Sequence, residues 1–197
     1  MNALRNSPKL SLLIAFVALN LTIGGLVSWL KLPIYLDSLG IVLATILLGW
    51  QYGVAVALTT VTLGFFVVNP YLPFYTGTSM CIVIAVEFFR RRNMYRSLPM
   101  AIVTGLLIAI ISAVVSAPVT ALLFGGVTAS GADFLTALFR RAGRSILESV
   151  ILAGFSSEPI DKVLVAVIAY LSLRGLPQRF LDTFQLRSVR DLASPSR

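Results

Sequence analysis

Residues 10–30 read LSLLIAFVALNLTIGGLVSWL and contain no charged side chain. A helix that crosses a bilayer needs about 20 consecutive apolar residues, so this run has the length of one membrane crossing. Arg5 and Lys9 precede the run, but it is too long for the apolar region of a signal peptide, and we interpret it as the first membrane helix. Charged residues make up only 12% of the chain, which is too little to cover a water-facing surface.

Glycines, prolines and an arginine cluster divide the rest of the chain into further spans. Asp37 is placed to cap the second helix, and Ser157 or Glu158 to cap the last one, where Pro159 falls in the first turn. Pro118 predicts a kink in the fifth. The predicted helices after the first are Ser38–Leu48, Val54–Val68, Phe74–Phe89, Pro99–Phe124 and Pro159–Leu173.

The segment 132–155 is the ambiguous part of the chain. It is apolar enough for a seventh span, but it carries three arginines and Glu148. Basic residues collect in cytoplasmic loops. With a cytoplasmic N-terminus, the cluster Arg90–Arg96 lies on the same side four crossings later, and the basic residues after 177 require an even number of further crossings. Six crossings satisfy this rule, and segment 132–155 then lies on the outer side.

The predicted fold class is therefore an all-α integral membrane protein. We expect a bundle of six transmembrane helices with an outer-side helical lid before the last helix. Residues 1–177 form a single membrane domain and residues 178–197 a basic cytoplasmic tail, with both termini cytoplasmic.

The composition argues against several functional classes. The net charge of +8 comes from basic residues at the ends of apolar runs and not from a basic stripe, so we expect no nucleic-acid partner. The chain has no histidine and only Cys81 as a thiol, so we expect no transition-metal site and no Ser/His/Asp triad. No glycine-rich phosphate loop is present, and the chain is not expected to be an enzyme.

Two motifs and the order of spans resemble a known family. Residues 36–53, LDSLGIVLATILLGWQYG, look like its second helix, a glycine-bracketed turn and the start of its third helix. Residues 158–164, EPIDKVL, look like the start of its last helix. The family comprises the substrate-binding components of energy-coupling factor transporters, a type of ABC importer that takes up vitamins and other micronutrients. The resemblance covers residues 10–177.

The resemblance implies a function and a set of partners. The chain would bind a small organic micronutrient, vitamin-like or nucleobase-like, in a bacterial cytoplasmic membrane. It would bind no cofactor itself, and a transmembrane coupling protein and two ATPase subunits would supply energy from ATP. Many members dock through two alanines four apart on the first helix. Here Ala15 and Ala18 are three apart, and Ala18 and Thr22 are the nearest small pair at a spacing of four.

Candidate binding residues lie at the predicted outer ends of the spans. Arg140 and Arg144 lie one turn apart on one helix face, and they either form an anion-binding wall or a lid stabilised by a pair with Glu148 and by lipid headgroups. The aromatic residues form either an interfacial belt or a stacking pocket for a flat ring. The full candidate set is Trp29, Tyr35, Asp37, Asn69, Tyr71, Tyr75, Arg140, Arg144, Glu148, Glu158 and Lys162.

Two other functions remain open from the sequence. One is a membrane sensor or regulatory module, which would need an output domain beyond the last helix. The other is a self-standing channel or secondary transporter, which a clear internal repeat would favour. The arginines lean toward an anionic or oxygen-rich solute and the aromatic residues toward a ring.

Overall fold

The computed structural model is all-helical over the part of the chain that it describes. This part is the backbone of residues 2–177 and the side chains of residues 9–177, and it contains no strand. The predicted tail, 178–197, lies outside it. A 3-10 turn, Leu72–Tyr75, leads into the fourth helix, and a π-helical turn, Val119–Leu123, extends the fifth. The helices are α1 (Asn2–Trp29), α2 (Leu39–Leu48), α3 (Trp50–Val67), α4 (Thr76–Arg91), α5 (Leu98–Pro118), α6 (Asp133–Arg141) and α7 (Ile146–Gly175).

The outer surface and the helix lengths indicate a membrane protein. Large apolar side chains such as Phe66, Ile84 and Leu122 stand exposed on the surface, where a water-soluble protein would carry polar groups. By length and composition, four helical stretches among the described residues are able to cross a membrane: Lys9–Trp29, Trp50–Val67, Leu72–Arg91 and Leu98–Leu123.

The short helix α2 lies at the centre of the bundle. Residues 39–47 are all buried. Two glycines let its neighbours approach closely, since a Cβ on Gly40 would lie 2.1 Å from the Phe16 carbonyl oxygen of α1, and one on Gly53 of α3 would lie 2.0 Å from Thr45 Oγ1. Small residues at helix crossings allow this kind of backbone approach. The sequence thus fixes α1 and α3 against the central helix.

Helix α7 is the longest described helix and packs along α5. At 1.5 Å per residue its 30 residues extend about 45 Å. A Cβ on Gly105 of α5 would lie 2.8 Å from the Lys162 carbonyl oxygen, so the two backbones nearly touch beside the middle of α7. This contact places the charged residues of α7 inside the bundle.

The predicted boundary of the last helix is wrong. Helix α7 begins at Ile146, where Ser145 and Glu148 form a capping box, so neither Ser157 nor Glu158 caps it and Pro159 lies in its interior. The proposed lid 132–155 is therefore not one element. Only α6, Asp133–Arg141, is a separate short helix, and residues 146–155 belong to α7.

Two smaller expectations about helix ends are also corrected. Asp37 does not cap α2, whose N-cap residue is Ser38 and which has no side-chain cap hydrogen bond. The predicted turn 49–53 is shorter than expected. Gly49, with a φ of 101°, is the single residue between α2 and α3, and α3 begins at Trp50. A positive φ is easily adopted by glycine, so one residue is enough to separate the two helices.

The charge pairs also differ from expectation at one end of the bundle. Glu87 pairs with the arginine cluster at the end of α4, with contacts of 2.7 Å to both Arg90 and Arg91. The anticipated pair between Arg144 and Glu148 does not form, because the Glu148 carboxylate accepts from the Ser145 hydroxyl and backbone N–H, each at 2.9 Å. Glu148 therefore stabilises the start of α7 rather than an arginine.

Candidate functional site

A cavity of about 130 Å³ lies inside the bundle, at the end where α1 leads into α2. Six of the helices and three connecting segments surround it. Helix α5 contributes one hydroxyl per turn, from Ser112, Ser116 and Thr120. Helix α7 contributes Glu158 and Lys162. A concave site with a few converging polar groups is the usual form of a small-molecule binding site.

The charged cluster of the cavity is built on one face of α7. Lys162, only 3% exposed, donates a hydrogen bond to Asp161 Oδ2, and its Nζ lies 3.4 Å from Glu158 Oε2. All three side chains are buried near the middle of the helix. Burying a charge is costly unless it is paired, and ionisable residues inside membrane helices usually have a function. This cluster is therefore the strongest indication of a functional site in the structure.

Asp161 connects this cluster to the segment between α1 and α2. Its Oδ1 accepts hydrogen bonds from the backbone N–H groups of Tyr35 and Leu36, at 3.2 and 2.6 Å. Leu36 has a φ of 50°, a left-handed conformation that costs a side-chain-bearing residue about 1–2 kcal/mol. The contact with Asp161 offsets that strain and holds Tyr35 and Asp37 in the cavity wall.

Two buried polar atoms of the cavity wall have no hydrogen-bond partner. One is Glu158 Oε2, on a side chain whose residue is 5% exposed, and the other is Ser38 Oγ, on a residue that is 1% exposed. Most buried polar atoms in proteins are satisfied, and an unsatisfied one needs an explanation. Both residues line the cavity, so a bound solute is placed to supply the missing bonds.

Asn20 forms the inner wall of the cavity. Its Oδ1 accepts from the backbone N–H of Gly40 at 2.6 Å, and its Nδ2 donates to Thr60 Oγ1 at 3.2 Å. One amide thus joins α1, α2 and α3. The residue is 1% exposed, so its four hydrogen-bonding positions must be met by protein or by a solute.

Residues 124–132, which we term the cap segment, lie over the cavity and contribute Thr128, Ser130 and Gly131 to its wall. Its carbonyl oxygens at Ala129 and Thr128 accept from Lys31 Nζ at 2.7 Å and from Asn69 Nδ2 at 2.8 Å. A Cβ on Gly131 would lie 2.0 Å from the Leu32 carbonyl oxygen, so the two segments are in close contact. The cap segment is therefore hydrogen-bonded to the loop after α1 and to the loop after α3.

Aromatic rings seal one edge of the cap segment. The Phe124 ring packs against the rings of Tyr71, Phe74 and Tyr75, with centroid distances of 4.7, 5.1 and 6.3 Å. The Tyr75 hydroxyl forms a 2.7 Å hydrogen bond with the Thr120 hydroxyl. Aromatic rings bury a large apolar area, so this cluster helps to hold the cap segment against the turn that precedes α4.

Burial changes the acidity of two groups in the α1–α2 segment. It raises the pKa of the Asp37 carboxyl above its usual range, an effect that the nearby Lys162 ammonium opposes. Burial also raises the pKa of the Tyr35 hydroxyl, and the Glu158 carboxylate adds to that shift. Tyr35 therefore remains a neutral hydroxyl group, and Asp37 holds its proton to a higher pH than a free aspartic acid does.

The structure divides the residues predicted to bind a solute into two groups. Glu158 and Lys162 line the cavity together with Tyr35, Asp37, Asn69, Tyr71 and Tyr75. Trp29, Arg140, Arg144 and Glu148 are exposed and do not line it. The predicted docking residues, Ala15, Ala18 and Thr22, are all exposed on α1.

Several lining residues were missed from the sequence. Asn20 had a visible signal, as a lone amide in an apolar run, and Ser112, Ser116 and Thr120 had one in their spacing of four. Ser38 had no such signal, because its burial depends on contacts between distant parts of the chain.

Hydrogen bonds to Asp133 hold the cap segment in place, and they give a first prediction. The Asp133 carboxylate accepts from the Thr128 backbone N–H at 3.0 Å and from the Thr128 and Ser130 hydroxyls at 3.0 and 3.2 Å. In Asp133→Ala these donors lose their acceptor, which costs about 1–2 kcal/mol. We expect amide hydrogen exchange in residues 124–132 to speed up about tenfold. In the control Glu148→Ala, which breaks the α7 capping box, exchange there should stay unchanged. Equal exchange in both variants would contradict this role of Asp133.

Comparisons with known proteins did not identify a relative of this chain. No protein family, no curated protein and no solved structure was found to match the chain.

Proposed function

We propose that this chain is the substrate-binding subunit of an energy-coupling factor type importer and takes up a small organic micronutrient, vitamin-like or nucleobase-like. The observation that carries the proposal is the capped polar cavity with the buried cluster of Glu158, Asp161 and Lys162. Such a cluster is expensive inside an apolar bundle and is best explained by a bound solute. The resemblance of residues 36–53 and 158–164 to that family is consistent with it.

The proposed arrangement in the membrane follows from α4. Residues at its start, Thr78 and Ser79, line the cavity, whereas Arg90 and Arg91 lie at its other end, about 20 Å away along the helix. With the arginines on the cytoplasmic side, the cavity and its cap segment face outward, as an importer requires. Helices α1 to α5 and α7 then make six crossings, α6 lies on the outer side, and both termini are cytoplasmic in a bacterial cytoplasmic membrane.

The proposed partners follow from the same assignment. The chain would bind no cofactor and hydrolyse no ATP, and a transmembrane coupling protein with two ATPase subunits would supply the energy. The exposed face of α1 that carries Ala15, Ala18 and Thr22 offers a surface of small side chains on which another helix can approach closely. This surface is the proposed docking site for the coupling protein.

The test is mass spectrometry of small molecules released from the detergent-purified protein. We expect one compound at a stoichiometry near one per chain, retained by Arg144→Ala and lost from Lys162→Ala, because Lys162 lines the cavity and Arg144 does not. Retention by both variants would place the compound outside this cavity. No released compound, and no gain in thermal stability with a panel of vitamins and nucleobases, would overturn the proposal.

A further inference from the structure

Carboxyl groups outnumber cations around the cavity. Asp37 and Glu158 line it together with one cation, Lys162, and Asp161 lies directly behind that cation. When all four groups are ionised, the site therefore carries two negative charges in excess. An excess charge is costly in a low-dielectric interior, because neither water nor salt screens it.

The lysine is already engaged. Its ammonium donates to Asp161, and Asp161 in turn accepts from two backbone N–H groups, so the lysine is held most closely by a residue behind the cavity wall. Glu158 has a longer ion-pair contact of 3.4 Å with the same ammonium, and its Oε2 has no hydrogen-bond donor. The carboxylate that faces the cavity is thus the group that still lacks a hydrogen bond.

No second cation among the described residues compensates for these carboxylates. Lys31 is exposed and donates to the Ala129 carbonyl, and Arg140 and Arg144 stand exposed away from the cavity. The rest of the lining consists of hydroxyls, amides and apolar groups, including the Tyr35, Tyr71 and Tyr75 side chains. The faces of aromatic rings attract cations.

The size of the cavity limits the solute. A cavity of about 150 Å³ in another protein holds one benzene molecule, so about 130 Å³ accommodates roughly one six-membered ring. We propose that the cargo is a single-ring solute with one positive charge, on a protonated amine or ring nitrogen, which donates to the carboxylates of Glu158 and Asp37. This inference rests on the proposed function and assigns the substrate class of the same cavity. It runs against the anionic solute that the arginines suggested.

The test uses three probes that share one ring: 3-(aminomethyl)pyridine, nicotinamide and nicotinate, which are cationic, neutral and anionic near pH 7.5. Binding to the full-length protein in detergent is measured by thermal stabilisation and calorimetry. We expect the cation to bind at least about tenfold more tightly than the amide, because a hydrogen bond between two charged groups is stronger than one from a neutral donor. The anion should bind most weakly.

Two nearly isosteric variants assign the effect to the carboxylates. Glu158→Gln and Asp37→Asn should each weaken binding of the cation about tenfold and change that of the amide less than about twofold. The control Glu87→Gln, at the opposite end of α4, should leave all three affinities unchanged. Equal losses for cation and amide would show a structural role for the carboxylates and overturn the assignment.

The compound released from the purified protein separates this inference from the proposed function. A released cation supports both. A neutral or anionic compound, lost from Lys162→Ala and retained or tightened in Glu158→Gln, leaves the binding subunit intact and overturns the cationic cargo. If no compound is released and no probe binds, the cationic cargo is overturned, and the proposed function is overturned with it only when the panel of vitamins and nucleobases also gives no thermal stabilisation.

Discussion

Replacing Lys162 with methionine is expected to destabilise the protein by about 3–5 kcal/mol, because the variant leaves a buried carboxylate pair without its cation. Lys162 contacts both Asp161 and Glu158, and all three residues are at most 5% exposed. Methionine preserves most of the side-chain volume, so loss of packing contributes little. The measurement is reversible unfolding in mixed detergent micelles, followed by helical circular dichroism.

Two further variants show whether the effect comes from charge. In the double variant Asp161→Asn/Lys162→Met, the asparagine oxygen still accepts from Tyr35 and Leu36, and we expect it to recover part of the loss. The control Lys31→Met removes an exposed ammonium with one backbone contact, and its effect should be much smaller. A Lys162→Met protein as stable as the parent would mean that the cluster is not buried as described.

The helices were predictable where the sequence marks both of their ends. An apolar run bounded by proline, glycine or arginine identified α2 to α5 and the end of α1 within a few residues, because such residues act locally on the backbone. The start of α1 was placed too late, since the helix begins at Asn2 and not at Leu10. The start of α7 was misplaced for a local reason too. Pro159 looks like a first-turn residue, whereas Ser145 and Glu148, at the spacing of a capping box, mark the true start.

Pro159 lies inside α7 although it has no N–H to donate, so the Phe155 carbonyl oxygen one turn earlier loses its helical donor. The two serines before the proline do not replace that donor. Ser156 and Ser157 donate instead to the carbonyl oxygens of Leu152 and Ala153, at 2.7 and 3.0 Å.

The types of residue that form the candidate site were easier to predict than the individual residues that belong to it. Tyrosines in the loops stood out because aromatic groups next to apolar runs are few, and Lys162 was favoured by the family resemblance of residues 158–164. The role of Asp161 did not, since it depends on bonds to a loop 125 residues earlier in the chain. Arg140 and Arg144 drew attention because they oppose the charge rule for outer segments, yet they stand exposed outside the cavity.

Replacing Gly40 with alanine should be among the most disruptive small changes to the bundle. The new methyl group would lie 2.1 Å from the Phe16 carbonyl oxygen and 2.9 Å from Asn20 Oδ1, so α1 and α2 must separate. Separation also breaks the 2.6 Å hydrogen bond from the Gly40 N–H to Asn20. Overpacking and a lost buried hydrogen bond together should cost about 3 kcal/mol or more.

The matched control for this change is Gly77→Ala, also in a helix. A Cβ at Gly77 meets nothing within 4 Å, so the substitution adds no clash. Alanine loses less conformational entropy than glycine in a helix, and we expect the control to be neutral or more stable by up to about 1 kcal/mol. The two variants carry the same chemical change, so the difference between their unfolding free energies isolates the close approach of α1 and α2. If that difference is under about 0.5 kcal/mol, the two helices are not packed at Gly40 as closely as described, because additional volume in a tight contact is not accommodated without cost.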